Sequence, residues 1–298
     1  IYLFFIFLVF LFLNIHAQSP CSLDNSFNLN GTIVSDGSRL GERIIALPDG
    51  SCLIAYNPFS NGHAYVRHIL SNGTVDNSYG TSGKTTIQVA SLRTDINALL
   101  VLNNELYICG STGTGSSTYA FVTKLKSNGL IDATFGNAGL VDFPSFYTFN
   151  DMLFEPSTNK LIVAGMKSVS KATITRLHTS GYMDASFGNL GTTDISSSNS
   201  STYYLIDDIN IDKYNKYIIT GKHYTTMGTS TFTQLVVMRF ESDGSLDNSF
   251  DNDGKAFFNS LATGSHEEGR KIFANSLNEY YICGASYVNG SNWNYALL

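Results

Sequence analysis

Apolar and polar residues alternate in short runs along this chain and never settle into a helical period. Lys84-Thr85-Thr86-Ile87-Gln88-Val89 alternates with period two, the pattern of a strand with one buried face. Residues 95–101 lead through Asn103-Asn104 into Glu105-Leu106-Tyr107-Ile108-Cys109-Gly110, two apolar runs joined by a hairpin signal. A Gly/Ser/Thr loop follows, then residues 119–126, then the turn Ser127-Asn128-Gly129. In that order the four segments predict one four-stranded antiparallel blade. The third run recurs as CLIAY (residues 52–56), KLIVAG (160–165), KYIITG (216–221) and EYYICG (279–284), and its continuous apolar character predicts a strand covered on both faces. Gly and Asn punctuate the chain every ten to fifteen residues, so the expectation is all-β.

A second pattern fixes how often the unit repeats. At Asp24, Asp76, Asp132, Asp184 and Asp247 an aspartate is followed three residues on by an aromatic (Phe27, Tyr79, Phe135, Phe187, Phe250) and seven residues on by a glycine, in LDNSFNLNG, VDNSYGTSG, IDATFGNAG, MDASFGNLG and LDNSFDNDG. The aspartates stand 52, 56, 52 and 63 residues apart. A strand-built period in the fifties predicts a β-propeller. These motifs resemble the delta-sixty repeat, a family of bacterial propeller repeats on exported proteins with no assigned activity, and the resemblance spans residues 24–298. It implies a scaffold and supplies no catalytic residue. Tyr79 stands for Phe, Asn28 and Asp251 for the glycine after the aromatic, and Tyr56 for the glycine that ends the third run elsewhere. The fold expected is thus a β-propeller of four-stranded antiparallel blades, about five of them present, in a parent ring of six to eight, with the last strand cut short at the C-terminus.

The repeated motif reads as geometry. The carboxylate caps a turn, the aromatic plugs the gap between blades, and the glycines allow positive φ in the crossing to the next blade. Five residues before the turn glycines stand His68, Lys124, Arg176 and Arg239, each expected to pair with the aspartate eight residues later. Asp247, Asp251 and Asp253 resemble half of a calcium loop, but EF-hand spacing and a closing Glu are missing. No cofactor is expected, and no Cys-x-x-Cys or G-x-S-x-G signature occurs.

Composition adds the setting. Charged residues make up 14% and aromatics 13% of 298 residues, and the net charge of −6 carries no basic run, which disfavours nucleic acid. Residues 1–13 are an unbroken apolar run, too short to span a bilayer, with the small Ala17 placed for cleavage, which suits a secretory signal (1–18) ahead of the propeller domain (19–298). The expected location is secreted, periplasmic or cell-surface, with no stable membrane span after cleavage. Cys109 and Cys283 occupy one slot in different modules and are expected as buried free thiols, whereas Cys21 and Cys52 share a module and could pair.

The functional expectation is an exported, monomeric scaffold that binds a protein or glycan without catalysis, because the sequence shows repetition without a unique polar cluster. The alternatives are a polysaccharide hydrolase or lyase with channel carboxylates, and a structural spacer. Acidic groups without salt-bridge partners, gathered within about 10 Å at a channel mouth, would favour the enzyme. The fourth module, with added residues at 196–202 and 225–233, is where specific work is expected.

Overall fold

The structure, a computed structural model, describes residues 27–29, 32, 43–57, 62–90, 92–113, 118–168, 170–197, 201–227, 230–258, 266–288 and 292–297. The leader (1–18), Cys21 and Asp24 lie outside the described residues. Apart from one 3-10 turn at Phe27–Leu29, all regular structure among the described residues is β.

Five antiparallel meanders form. The first holds β1 (Arg43–Ala46), β2 (Cys52–Tyr56), β3 (Ala64–Ile69) and β4 (Thr85–Ile87). The second holds β5 (Thr94–Leu102), β6 (Glu105–Thr112), β7 (Tyr119–Leu125) and β8 (Leu140–Phe143). The third holds β9 (Thr148–Glu155), β10 (Lys160–Ser168), β11 (Lys171–His178) and β12 (Thr192–Ile195). The fourth holds β13 (Thr202–Ile211), β14 (Tyr217–Met227), β15 (Ser230–Phe240) and β16 (Lys255–Phe258). The fifth holds β17 (His266–Ala274), β18 (Tyr280–Val288) and β19 (Asn292–Leu297). The first strands β1, β5, β9, β13 and β17 pack against one another in succession, while β4, β8, β12 and β16 lie at the outer edge. Arg43 of the first sheet and Lys271 of the fifth both bear electrostatically on Cys109 of the second. The first strands therefore converge on a common axis, and the protein is a β-propeller.

Apolar burial is divided among four interblade layers. Leu53, Val66 and Tyr79 meet Ile96, Leu106 and Ile108 between the first two blades. Tyr107, Val122 and Phe135 meet Phe149, Leu161 and Val163 between the next two. Ile162, Ile174 and Phe187 face Ile206, Tyr217 and Met238, and Ile218, Leu235 and Val237 face Ile272 and Ile282. The third-run strands β6 and β10 sit between two such layers, which is why they are apolar on both faces.

Two expectations are corrected. Residues 84–89 do not open the second blade: Val66 pairs with Thr85, so β4 closes the first blade, and the blade boundary falls after the motif's strand. The same holds at Thr123↔Leu140 and Val237↔Ala256, because the chain doubles back along its own sheet after the glycine turn before crossing over. Cys109 is buried, but Cys283 is exposed. Its slot faces away from the fourth blade, and among the described residues no further sheet covers that side.

The inner strands share a distortion. Each of β5, β9, β13 and β17 carries a bulge, with Asn97, Asn150, Asp207 and Arg270 as the extra residue. Opposite it stands the glycine that ends the third run. A Cβ on Gly221 would sit 1.9 Å from the Leu205 carbonyl oxygen, and one on Gly110 would sit 1.9 Å from that of Asp95. The glycine lets the bulged backbone tuck in, and the bulge re-aims the side chain beside it.

Candidate functional site

The motif residues form one joint in each of four blades. Asp76, Asp132, Asp184 and Asp247 accept from the hydroxyl of the residue two positions on, at 2.6, 2.8, 2.7 and 2.6 Å, and from its backbone N–H. The other carboxylate oxygen meets His68 at 3.0 Å, Lys124 at 3.0 Å, Arg176 at 2.9 Å and Arg239 at 2.6 Å. Each expected acid–base pair is present, within its own blade. The bond from Thr134 and then the Lys124 ammonium hold the Asp132 carboxyl at about 2, against the burial that would raise it. Burial likewise opposes, and Ser186 and Arg176 outweigh it, at Asp184, also about 2.

The residue after each aromatic reaches the next blade. Asn28, Gly80, Gly136 and Gly188 donate their N–H to the carbonyls of Asn72, Asn128, Ser180 and Asp243, each at 2.8 Å. The motif is thus a lateral clasp between blades, and the chain does not cross there. Phe187 and Phe250 pack edge-on against Tyr217 and Tyr280 of the following blade, while Tyr79 and Phe135 are buried in their own interblade layers. Asn28 and Asp251 keep the glycine conformation, both at φ 46. Phe27 lies in the 3-10 turn beside Gly73.

One copy imitates an active site. Ser51 Oγ lies 2.8 Å from His68 Nε2, and His68 Nδ1 lies 3.0 Å from Asp76 Oδ2, the spacing of nucleophile, base and orienting acid. Its chemistry is different. Ser51 is buried and gives its hydroxyl hydrogen to Asp49 Oδ1 at 2.5 Å. His68 stands at the position that Lys124, Arg176 and Arg239 fill elsewhere, and it meets the motif aspartate as they do.

The half calcium loop does not assemble. Asp247 is spent on Arg239, Lys216 and Ser249, Asp253 caps the Lys255 N–H at 3.0 Å, and Asp251 is exposed. Among the described residues no group of three His, Cys, Asp or Glu is placed to hold a metal.

The residues that sequence reasoning missed lie on the axis. Asn97 donates to the Phe149 carbonyl at 2.8 Å and Asn150 to the Ile206 carbonyl at 2.7 Å, each bulge amide tying its strand to the next. The residue after each bulge is an acid in two blades: Asp151 accepts the Ile209 N–H at 3.2 Å and Asp208 accepts the Ile272 N–H at 2.7 Å. Lys271 bonds Asp208 and lies 3.7 Å from Asp151. Burial, and then the neighbouring Asp208, push the Asp151 carboxyl up to about 8.

At the third bulge the amide becomes a carboxyl. Asp207 Oδ2 is buried and accepts no hydrogen bond, and Lys222 Nζ stands 4.0 Å away. Burial raises this carboxyl to about 6, with Lys222 acting against it. The same ammonium bonds Glu268 of β17 at 2.6 Å, and Arg270 bonds Glu268 as well. Through their shared ammonium the two carboxyl groups lie within about 7 Å of each other. The acids are gathered, then, although each has a cationic neighbour, Lys222 beside Asp207 and Glu268 and Lys271 beside Asp151 and Asp208. Glycosidases hold their two carboxyls about 5–9.5 Å apart. Asp151 and Asp208, in direct contact, are too close for that work, while Asp207 and Glu268 stand on either side of the Lys222 ammonium, below the upper limit of that range.

Comparison with known proteins gives the architecture a context. The family described as a domain of unknown function (DUF5122) beta-propeller matches residues 215–250. No curated protein matches. Similar solved structures include an endo-arabinase from Bacteroides thetaiotaomicron VPI-5482 (11% identity, 85% of this chain and 91% of that one, TM-score 0.44). An endo-arabinanase from Bacillus licheniformis (13%, 89% and 94%, 0.42) and a mannose phosphorylase from Leishmania mexicana (12%, 88% and 84%, 0.42) are further examples. At these identities neither reaction nor substrate passes from them to this chain. The expectation of a non-catalytic scaffold is nonetheless corrected, because its premise, that the chain holds no unique polar cluster, fails at Asp207 and Glu268.

Proposed function

We propose that the protein is an exported β-propeller hydrolase acting on glycans, with Asp207 as general acid and Glu268 as the second carboxyl of the pair. One observation carries the reading: where Asn97 and Asn150 close the axis with an amide, β13 presents a carboxyl held near 6, beside a glutamate that Lys222 meets at 2.6 Å. A carboxyl at that position has a hydrogen to give only when protonated. Two carboxyls in opposite charge states are what glycoside cleavage requires. Asp207 gives its proton to the glycosidic oxygen as the C–O bond breaks, Glu268 faces the developing cation at the sugar carbon, and water completes the cleavage and returns a proton to Asp207. Export rests on the apolar leader, and membership of the delta-sixty family on the repeated motif.

The test is release of reducing ends from a polysaccharide panel that includes arabinan, between pH 4.5 and 7.5. The expected result is activity falling as pH rises through about 6, with Asp207→Asn and Glu268→Gln each at least ~100-fold slower. Wild-type inactivity across the panel, or full activity in either variant, overturns the reading.

A further inference from the structure

The fourth blade carries an aromatic feature that the joints and the acid pair leave unused. Its strands β14 and β15 run to Met227 and from Ser230, so the stretch expected as a loop at 225–233 is largely extended hairpin. Tyr203 and Tyr224 face each other across β13 and β14, with rings stacked at 4.5 Å and 8°. Alternation puts Tyr203, Leu205 and the bulged Asp207 on one face of β13, and Lys222 and Tyr224 on the matching face of β14. Tyr224 lies within the electrostatic reach of Lys222, Asp207 and Glu268. Both rings are only half-buried. The stack runs inward from β14 to β13, and β13 is the innermost strand of its blade. The ring face of Tyr203 turned away from Tyr224 is therefore turned toward the channel.

We propose that Tyr203, backed by Tyr224, is a sugar-stacking platform that seats a glycan chain several units from the bond cleaved at Asp207. This deepens the hydrolase reading and rests on it. Four residues of strand separate Tyr203 from Asp207, about 13 Å along β13, further than a single sugar ring reaches. The ligand is therefore an extended oligosaccharide or polysaccharide and not a monosaccharide. Face-to-face stacking is not what isolated aromatic rings prefer. Cross-strand pairing imposes it here, and it leaves Tyr203 rigid, with its outer face free of Tyr224.

Binding is measurable without turnover. In the Asp207→Asn protein, affinity for oligosaccharides of graded length prepared from the panel's polysaccharides, arabinan included, is expected to rise with chain length until the platform is reached. Tyr203→Ala is expected to weaken binding of the longest members about tenfold and to flatten the length dependence. Tyr203→Phe retains binding and shows that the alanine variant fails for want of a ring. Tyr214→Ala, on the exposed turn at the opposite end of β13, leaves affinity unchanged. Hydrolysis in the wild type with undiminished binding by Tyr203→Ala removes the platform and leaves the acid pair standing. Absence of both hydrolysis and glycan binding removes both. Ring-dependent, length-dependent binding without any hydrolysis keeps the platform and removes the catalytic reading.

Discussion

The aspartates of the interblade joint and those of the axis are one side chain in two environments. At the joint, hydroxyl and N–H donors and a cation surround the carboxylate, and Asp132 and Asp184 are held near 2. On the axis, burial outruns the donors, and Asp207 and Asp151 rise to about 6 and about 8. The joint recurs from blade to blade because every blade must be fastened to the next. The axial set changes around the ring, from asparagine at 97 and 150 to Asp207 and then Arg270, although the backbone there repeats as faithfully. In a repeat protein, chemistry belongs where the side chain changes and the backbone does not.

The largest test of this contrast is the dependence of stability on pH. Joint carboxyls have folded values below the unfolded value of about 4, so their contribution is full above about 4 and is lost as pH falls toward 2. Asp151 and Asp207 have raised folded values, so their contribution is full below about 4 and is lost as pH rises, through about 6 for Asp207 and about 8 for Asp151. Stability measured by denaturant titration therefore peaks near pH 4–5, and its alkaline limb falls by as much as about 1.4 kcal/mol per unit for each axial proton. Asp151→Asn, whose amide copies the protonated acid, flattens that limb and is more stable than wild type at pH 8. An unchanged alkaline limb in this variant would show that the axial carboxyls are ordinary and dissolve the contrast.

Backbone comes next. Gly221→Ala places a methyl carbon 1.9 Å from the Leu205 carbonyl oxygen, beside the bulge that aims Asp207. Overpacking of this kind costs about 1–3 kcal/mol, read as a lower denaturation midpoint. Because the strain falls on the strand presenting Asp207, glycan hydrolysis by the folded fraction should fall as well. Full activity per folded molecule would mean that the bulge does not position the acid.

The joint was legible in the sequence because it consists of residues close together along the chain. Arg176 and Asp184 are eight positions apart, and the hydroxyl partner Ser186 two further on, so a repeated spacing carries the whole contact. The strands and their count followed from period-two alternation and the recurring third run. The phase of the blades did not, because a meander reads the same whether the motif's strand closes one sheet or opens the next; only the Thr123↔Leu140 pairing decides it. The axial acids were hidden for a related reason. Asp207 and Glu268 are far apart in sequence, and a bulge is invisible to alternation counting. One signal was present all the same: the third run ends in glycine in four modules, and that glycine marks the bulge opposite, the position where the side chain changes between blades.

The smallest expected effect tests the other half of the contrast, that the joint is geometry alone. Asp251 stands where Gly80, Gly136 and Gly188 stand in other copies, and it holds the same left-handed backbone, φ 46, with no ion pair among the described residues to offset the strain. An L-residue in that region costs about 1 kcal/mol, less for aspartate, and glycine gives back part of the gain through its freer unfolded chain. Asp251→Gly is therefore expected to stabilise the protein by about 0.5 kcal/mol, a rise of one or two degrees in Tm, with glycan hydrolysis unchanged. The opposite outcome would be specific. If Asp247, Asp251 and Asp253 gathered a cation, calcium would raise the wild-type Tm, the glycine variant would lose that response, and its Tm would fall below wild type. The bonds already made by Asp247 to Arg239 and Lys216 argue for the first result, since a carboxylate neutralised by two cations has little attraction left for a third.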